Sequence, residues 1–217
     1  LLERLTTNKI IELPLNTGVK TVITTNKGRM IDLLYVYSTD KGLLVITSKN
    51  NQDTISSWID YYTFGEDVTI SNISNSTAMI GIAGPKTFTF LKEFFSADGF
   101  ELEKNELTKI QFENNDVWVI RTDSHGLLGV DIIFPNENQH FIWEKIMSTS
   151  LTIEKPTELT LNTIRINEGI PVLGNELTQD YNPLEAGLIE SVNFQKGCYI
   201  GQEVIARLNT YSKVKRS

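Results

Sequence analysis

The sequence predicts an α+β protein in which helices cover one side of antiparallel sheets. Two observations carry this: short β-branched runs alternate with turn residues, and helix-spaced apolar residues interrupt them in the order β-β-α-β-β-β-α over the middle of the chain. Ile10 to Leu15, Thr21 to Thr25, Ile31 to Tyr37 and Leu43 to Thr47 read as a meander of strands punctuated by Gly18, Gly28 and Gly42. Ile55, Trp58, Ile59 and Tyr62 recur at helical spacing and predict a helix over about Gln52 to Tyr62. A second unit is expected from near Asp67, with strands at Val68 to Ile73 and Ala78 to Ala83, after which Gly84-Pro85 opens a helix through Phe95. Leu107 to Glu113, Val117 to Thr122 and Gly129 to Phe134 supply its remaining strands. Asn136 is placed to cap a helix carrying Phe141, Trp143, Ile146 and Met147. A helical pattern returns from Leu159 to Glu168 and is broken by Gly169-Ile170-Pro171. Leu1 to Leu5 reads as a helix already under way.

With 217 residues, 40% apolar and 22% charged, the composition is that of a soluble protein of one or two domains. A formal charge of −7 gives no general basic field for nucleic acid, and the apolar runs are too short to span a bilayer. One cysteine cannot form an internal disulfide, and with two histidines it leaves too few soft ligands for a closed metal site. These features predict a reducing compartment: the cytoplasm, or the mitochondrial matrix in a eukaryote.

That cysteine lies in Lys196-Gly197-Cys198-Tyr199-Ile200-Gly201-Gln202-Glu203, directly ahead of the helix-prone run Val204 to Leu208. A thiol just before a helix N-terminus feels the partial positive charge of exposed amides, and Lys196 two residues away adds to it, so the arrangement predicts a partly exposed, thiolate-prone Cys198. The string resembles the K-G-C-Y-x-G-Q-E signature of the YgfZ family of folate-binding proteins, which is related to the glycine-cleavage T-protein and implicated in iron–sulfur cluster assembly or repair.

Other segments extend the resemblance. Asn26-Lys27-Gly28-Arg29 resembles an N-x-K-G-R-like turn, which implies Arg29 or Lys27 near the carboxylate tail of a folate. T-proteins carry two adjacent acids where this chain has Asp32-Leu33, so Asp32 is a candidate ligand contact and the second acid, which serves aminomethyl transfer, is absent. Arg121 to Ile132 resembles the segment R-x-G-Y-T-G-E-D-G-x-E-I, whose final acid pairs with the pteridine; Asp131 takes that place, and Leu127 and Leu128 replace the central acids. Arg165 to Pro171 and Asn182 to Leu188 resemble the R-x-x-x-G-x-P and P-x-E-x-G-L elements, which implies Arg165 near the ligand.

The resemblance implies an interrupted architecture, with a folate-binding domain from 1–67 and 155–210 and an inserted α+β, ferredoxin-like domain at 68–154. It also implies a strand–helix segment before this sequence and a β-barrel after it, so the chain reads as a fragment. The expected ligand is tetrahydrofolate or a related reduced pterin, with Cys198 as the reactive group and Arg29, Asp32, Asp131, Arg165, Lys196 and Tyr199 as binding residues. The expected partners are iron–sulfur assembly proteins or client enzymes, and the expected function is maintenance of iron–sulfur enzymes. The alternative is an aminomethyltransferase of the glycine cleavage system, passing a one-carbon unit to tetrahydrofolate.

Overall fold

A computed structural model describes residues 1–96, 101–122 and 127–210. The chain divides into two compact units, one formed by Leu1–Asn72 with Pro171–Ser217 and the other by Ile73–Ile170.

In the first unit a short helix α1 (Leu2–Leu5) precedes strands β1 (Gly18–Thr24), β2 (Met30–Thr39) and β3 (Gly42–Ile46), which pair antiparallel in sequence order. Helix α2 (Gln52–Tyr61) buries Ile55 and Ile59 against Ile23, Leu34 and Val36 on one side of this sheet. Val22, Met30 and Leu33 bury the other side with Leu177. Alternation along β2 therefore separates Asp32, which is in register with Ile23, from Leu33, which is in register with Val22. Near the C-terminus α6 (Gln202–Thr210) buries Ile205 beside Leu184, Val192 and Tyr199.

The second unit carries a four-stranded antiparallel sheet in the order β4-β7-β6-β5, with β4 Thr77–Ala83, β5 Leu107–Phe112, β6 Asn115–Arg121 and β7 Gly129–Pro135. Helices α3 (Thr87–Phe95) and α4 (Gln139–Met147) cover one face, packing Phe90, Leu91, Phe94, Ile142 and Ile146 on Val117, Val119, Val130, Ile132 and Phe134. Helix α5 (Glu158–Asn167) follows, and the hydroxyl of Thr157 caps it by accepting from the Thr160 amide at 3.1 Å.

Three expected elements differ. Ile10 to Leu15 forms turns, because the Glu3 carboxylate accepts the amides of Ile10 (2.6 Å) and Ile11 (2.9 Å), and Glu12 and Asn16 adopt positive φ. Among the described residues Val68 to Ile73 pairs with no strand, and Val68, Ile70 and Ile73 are exposed. Asn136 begins a short 3₁₀ turn, Asn136–Asn138, rather than capping α4, whose buried residues are Ile142 and Ile146 while Phe141, Trp143 and Met147 face outward.

Candidate functional site

Asp131 sits in the middle of β7, on the sheet face opposite α3 and α4, in register with Ile120 of β6 and Gly81 of β4. Ile120 is fully buried, whereas Gly81 is exposed and presents bare backbone. The Asp131 carboxylate leans over that backbone, with Oδ1 3.1 Å from where a Cβ on Gly81 would stand. It has no hydrogen-bond or ion-pair partner among the described residues, and burial alone pushes its carboxyl up to about 6. A half-buried acid without a partner costs the fold stability unless a ligand supplies donors. Its two oxygens suit a pair of adjacent N–H groups on a planar edge. Sequence pattern alone did not single out Gly81; its only signal was a glycine inside the alternating run Thr77 to Ala83.

The C-terminal motif is built largely as an anchor. Lys196 is buried, and its ammonium donates to the main-chain carbonyls of Glu3 (2.6 Å), Thr6 (2.8 Å) and Asn8 (2.7 Å) while pairing with the Glu3 carboxylate at 3.3 Å. Its three protons are thereby taken, leaving none for Cys198 or for a ligand carboxylate as the sequence reading expected. Burial lowers the Lys196 pKa, and Glu3 partly restores it. For Glu3 the upward pull of burial is outweighed by the Ile10 and Ile11 amides and by Lys196, so its carboxyl titrates below the usual range.

Tyr199 is buried among Leu184, Val192 and Ile205, with the Lys196 ammonium 5.3 Å from its ring centre, and burial pushes its phenol up to about 12. Gly201, at φ +84°, lies where a Cβ would stand 2.6 Å from the Thr25 carbonyl oxygen and 3.0 Å from the Gly28 Cα. The residue before it, Ile200, accepts from the Thr24 hydroxyl at 2.8 Å. Cys198 is exposed, and α6 begins only at Gln202, so the thiol stands a turn outside the helix end rather than against it.

Two of the resembling motifs meet in the first unit. The Arg29 guanidinium donates to the Asp180 carbonyl and lies 3.5 Å from the Glu185 carboxylate, which also accepts the Asn182 amide at 2.9 Å. Asp32 is fully buried: its carboxylate accepts from the Ser48 hydroxyl (2.6 Å), the amides of Leu33 (2.8 Å) and Ser48 (3.0 Å), and the Asn51 side chain (3.0 Å). It therefore organises the turn that starts α2, and every strong acceptor direction is filled from within the chain. In the second unit Arg165 is buried, donating to the Asn162 side chain at 2.6 Å and the Ile170 carbonyl at 3.4 Å. His125 lies outside the described residues. Among the described residues no cluster of three or more His, Cys, Asp and Glu side chains could hold a metal ion, and no helix is long and apolar enough to cross a membrane.

Comparison with known proteins gives this geometry a family. The chain is 32% identical over 211 residues to the aminomethyltransferase of Caldanaerobacter subterraneus subsp. tengcongensis, covering 95% of this chain and 56% of that protein. It is 30% identical over 210 residues to the aminomethyltransferase of Chlorobaculum tepidum, covering 93% and 57%. The crystal structure of glycine cleavage system aminomethyltransferase T from Bartonella henselae shares the fold, with a TM-score of 0.85 and 17% identity over 97% of this chain and 57% of that one. The chain thus spans a little over half the length of these relatives. The family model described as the GCVT N-terminal domain matches residues 1–196, which holds Asp131, Arg165 and Arg29 and ends where the cysteine motif begins; the chain belongs to that family.

Proposed function

We propose that this protein binds tetrahydrofolate or a related reduced pterin through Asp131 and serves one-carbon transfer of the aminomethyltransferase kind. The carrying observation is the half-buried carboxylate, without a partner among the described residues, at the one position where the resemblance expects a pteridine-binding acid. A reduced pterin presents a ring N–H beside an exocyclic amine, and a carboxylate accepts both in parallel. In the ionised state Asp131 gains two charge-assisted hydrogen bonds on binding, which offsets its burial. The names of the curated relatives favour the transferase role. Isothermal calorimetry with tetrahydrofolate tests the reading: binding should weaken at least tenfold in Asp131→Ala, and unchanged affinity would remove Asp131 from the site.

A second reading, maintenance of iron–sulfur enzymes, is favoured by the exposed Cys198 and by Leu33. Transfer of an aminomethyl group calls for an acid that steers charge and proton as the new bond forms. Leu33 packs against Val22 and Met30, and Asp32 faces the other side of the sheet with its oxygens occupied. Ammonia release in an assay with a lipoyl carrier and tetrahydrofolate separates the two. Turnover of about one per second or faster supports transfer. No turnover, together with rescue of iron–sulfur enzyme activity in deficient cells that Cys198→Ala abolishes, supports maintenance.

A further inference from the structure

We propose that the free edge of β4 docks a second copy of this chain, the two strands pairing antiparallel about Ile80 so that their sheets join across a two-fold axis. The inference stands apart from any ligand and rests on the second unit alone.

The main-chain bonds fix which groups of β4 are spent. Gly84 donates to the Leu128 carbonyl at 2.8 Å and Asn136 to that of Ser76 at 2.9 Å, so in this antiparallel register Ala78, Ile80 and Ile82 exchange their bonds with β7. The amides and carbonyls of Met79, Gly81 and Ala83 point the other way, and among the described residues they bond to nothing. Natural sheets blunt such an edge with a charge, a proline or a bulge. The opposite edge of the same sheet is blunted in this way, since β5 carries exposed Lys109 paired to Asp116. On β4 all three devices are missing: no residue between Asp67 and Lys86 is charged, Thr77 to Ala83 holds no proline, and the register on β7 runs without a shift.

The edge is complementary to itself. With Ile80 opposite Ile80 of the other copy, Met79 stands opposite Gly81 and Thr77 opposite Ala83, and the two-fold axis makes each match twice. Met79 is half exposed, so its side chain lies over the bare backbone of the other copy's glycine. On the other face Ala78 meets Ile82 and Ile80 meets its own counterpart, continuing the apolar row that already packs against the core. The amides of Met79, Gly81 and Ala83 donate to the carbonyls of Gly81, Met79 and Thr77 of the other copy. The Thr77 amide is already given to the Ile73 carbonyl at 3.1 Å, so the ladder ends there. Sliding one strand by two residues sets Gly81 opposite Gly81 and leaves a gap at the axis, so side-chain size selects this register. The absence of charge along β4 means that symmetry brings no like charges together. A seam of one strand pair is small, which makes the dimer weak and concentration-dependent.

Sedimentation equilibrium of the full chain tests this and is expected to show a reversible equilibrium between monomer and dimer. Met79→Pro removes an amide that β7 does not use and is expected to weaken the dimer about tenfold or more. Gln111→Pro removes an outward amide of β5 in the same manner and should dimerise as wild type. Met79→Lys keeps the backbone donor but places a charge on each side of the seam; it should give the same loss, and it decides the matter should the proline variant fail to fold. Register is read by cross-linking in a Cys198→Ser background: Ile80→Cys should form a disulfide-linked dimer on mild oxidation, because facing residues of a non-hydrogen-bonded pair lie about 4.5 Å apart at Cα. Wild type that is monomeric at every soluble concentration overturns the inference, as does a dimer that survives Met79→Lys or is equally weakened by Gln111→Pro. Cross-linking through Gly81→Cys and not through Ile80→Cys overturns it too. So does growth beyond the dimer, which a self-pairing edge cannot propagate and a contact between β4 and the edge strand β3 would.

Discussion

At the residue scale Asp131 stands out because its carboxylate has no hydrogen-bond or ion-pair partner among the described residues. Its folded pKa, pushed up to about 6 from 3.8, means that the native state holds a proton more tightly than the unfolded chain between about pH 4 and 6. Stability must therefore fall as pH rises through that window and level off above it. The shift of about two units bounds the loss at roughly 3 kcal/mol. Asp131→Asn keeps the shape without the charge, so urea unfolding at pH 4, 5, 6 and 7 should show a flattened profile and a more stable protein at pH 7. Parallel profiles for variant and wild type would mean that the acid is solvated. Asp32 is the opposite case, an acid whose carboxylate is fully occupied by Ser48, Asn51 and Leu33. The two look alike in the sequence, each an acid inside an apolar strand. Neither burial nor partnering could be read there, because the groups that satisfy Asp32 come from the turn before α2.

At the scale of elements, the junction between α6 and the β1–β2 turn depends on two glycines in contact. Gly201 meets the Thr25 carbonyl and Gly28, and a Cβ on Gly28 would touch Val204 and Ile205 at 3.3 Å. Gly201→Ala adds a left-handed backbone penalty to a collision with main chain, and is expected to destabilise the protein by about 2–4 kcal/mol. Amide exchange in α6 and in residues 24–29 should accelerate together; acceleration confined to α6 would show that the contact does not couple them. This contact also bears on how much was legible. The core strands, α2 and α3 follow from periodicity, because each buries its own regular stripe, whereas α5 buries only Arg165 and α6 only Ile205. Ile10 to Leu15 and Val68 to Ile73 carry the same β-branched residues, yet the first is held by Glu3 and the second has no neighbour strand. In α4 the largest residues lie on the outer side, so size misled where spacing of Ile142 and Ile146 would not. In the candidate site, resemblance singled out Asp131 and the cysteine motif, but not that Asp131 lacks a partner among the described residues. The anchoring role of Lys196 was not, since its acceptors are main-chain carbonyls that no side-chain pattern reveals.

For the whole molecule, the two units differ in how they are closed. Every buried residue of the large core around Phe94 and Ile132 belongs to Ile73–Ile170, so that segment expressed alone should unfold cooperatively, with a denaturation midpoint visible by circular dichroism. A gradual, midpoint-free loss of signal would show that it leans on the rest of the chain. The first unit is different, because its two chain segments are sewn together at Lys196, at the Thr7 hydroxyl bound to the Ser191 carbonyl and at the Asn193 amide bound to the Thr7 carbonyl. Lys196 and Asn8 are 188 positions apart. Synthesis at ~5–20 residues per second therefore leaves the N-terminal segment waiting roughly ten to forty seconds for its lysine. On the ribosome the second unit is finished first, and Val22, Met30 and Leu33 spend most of that interval as chaperone-facing surface until Leu177 covers them.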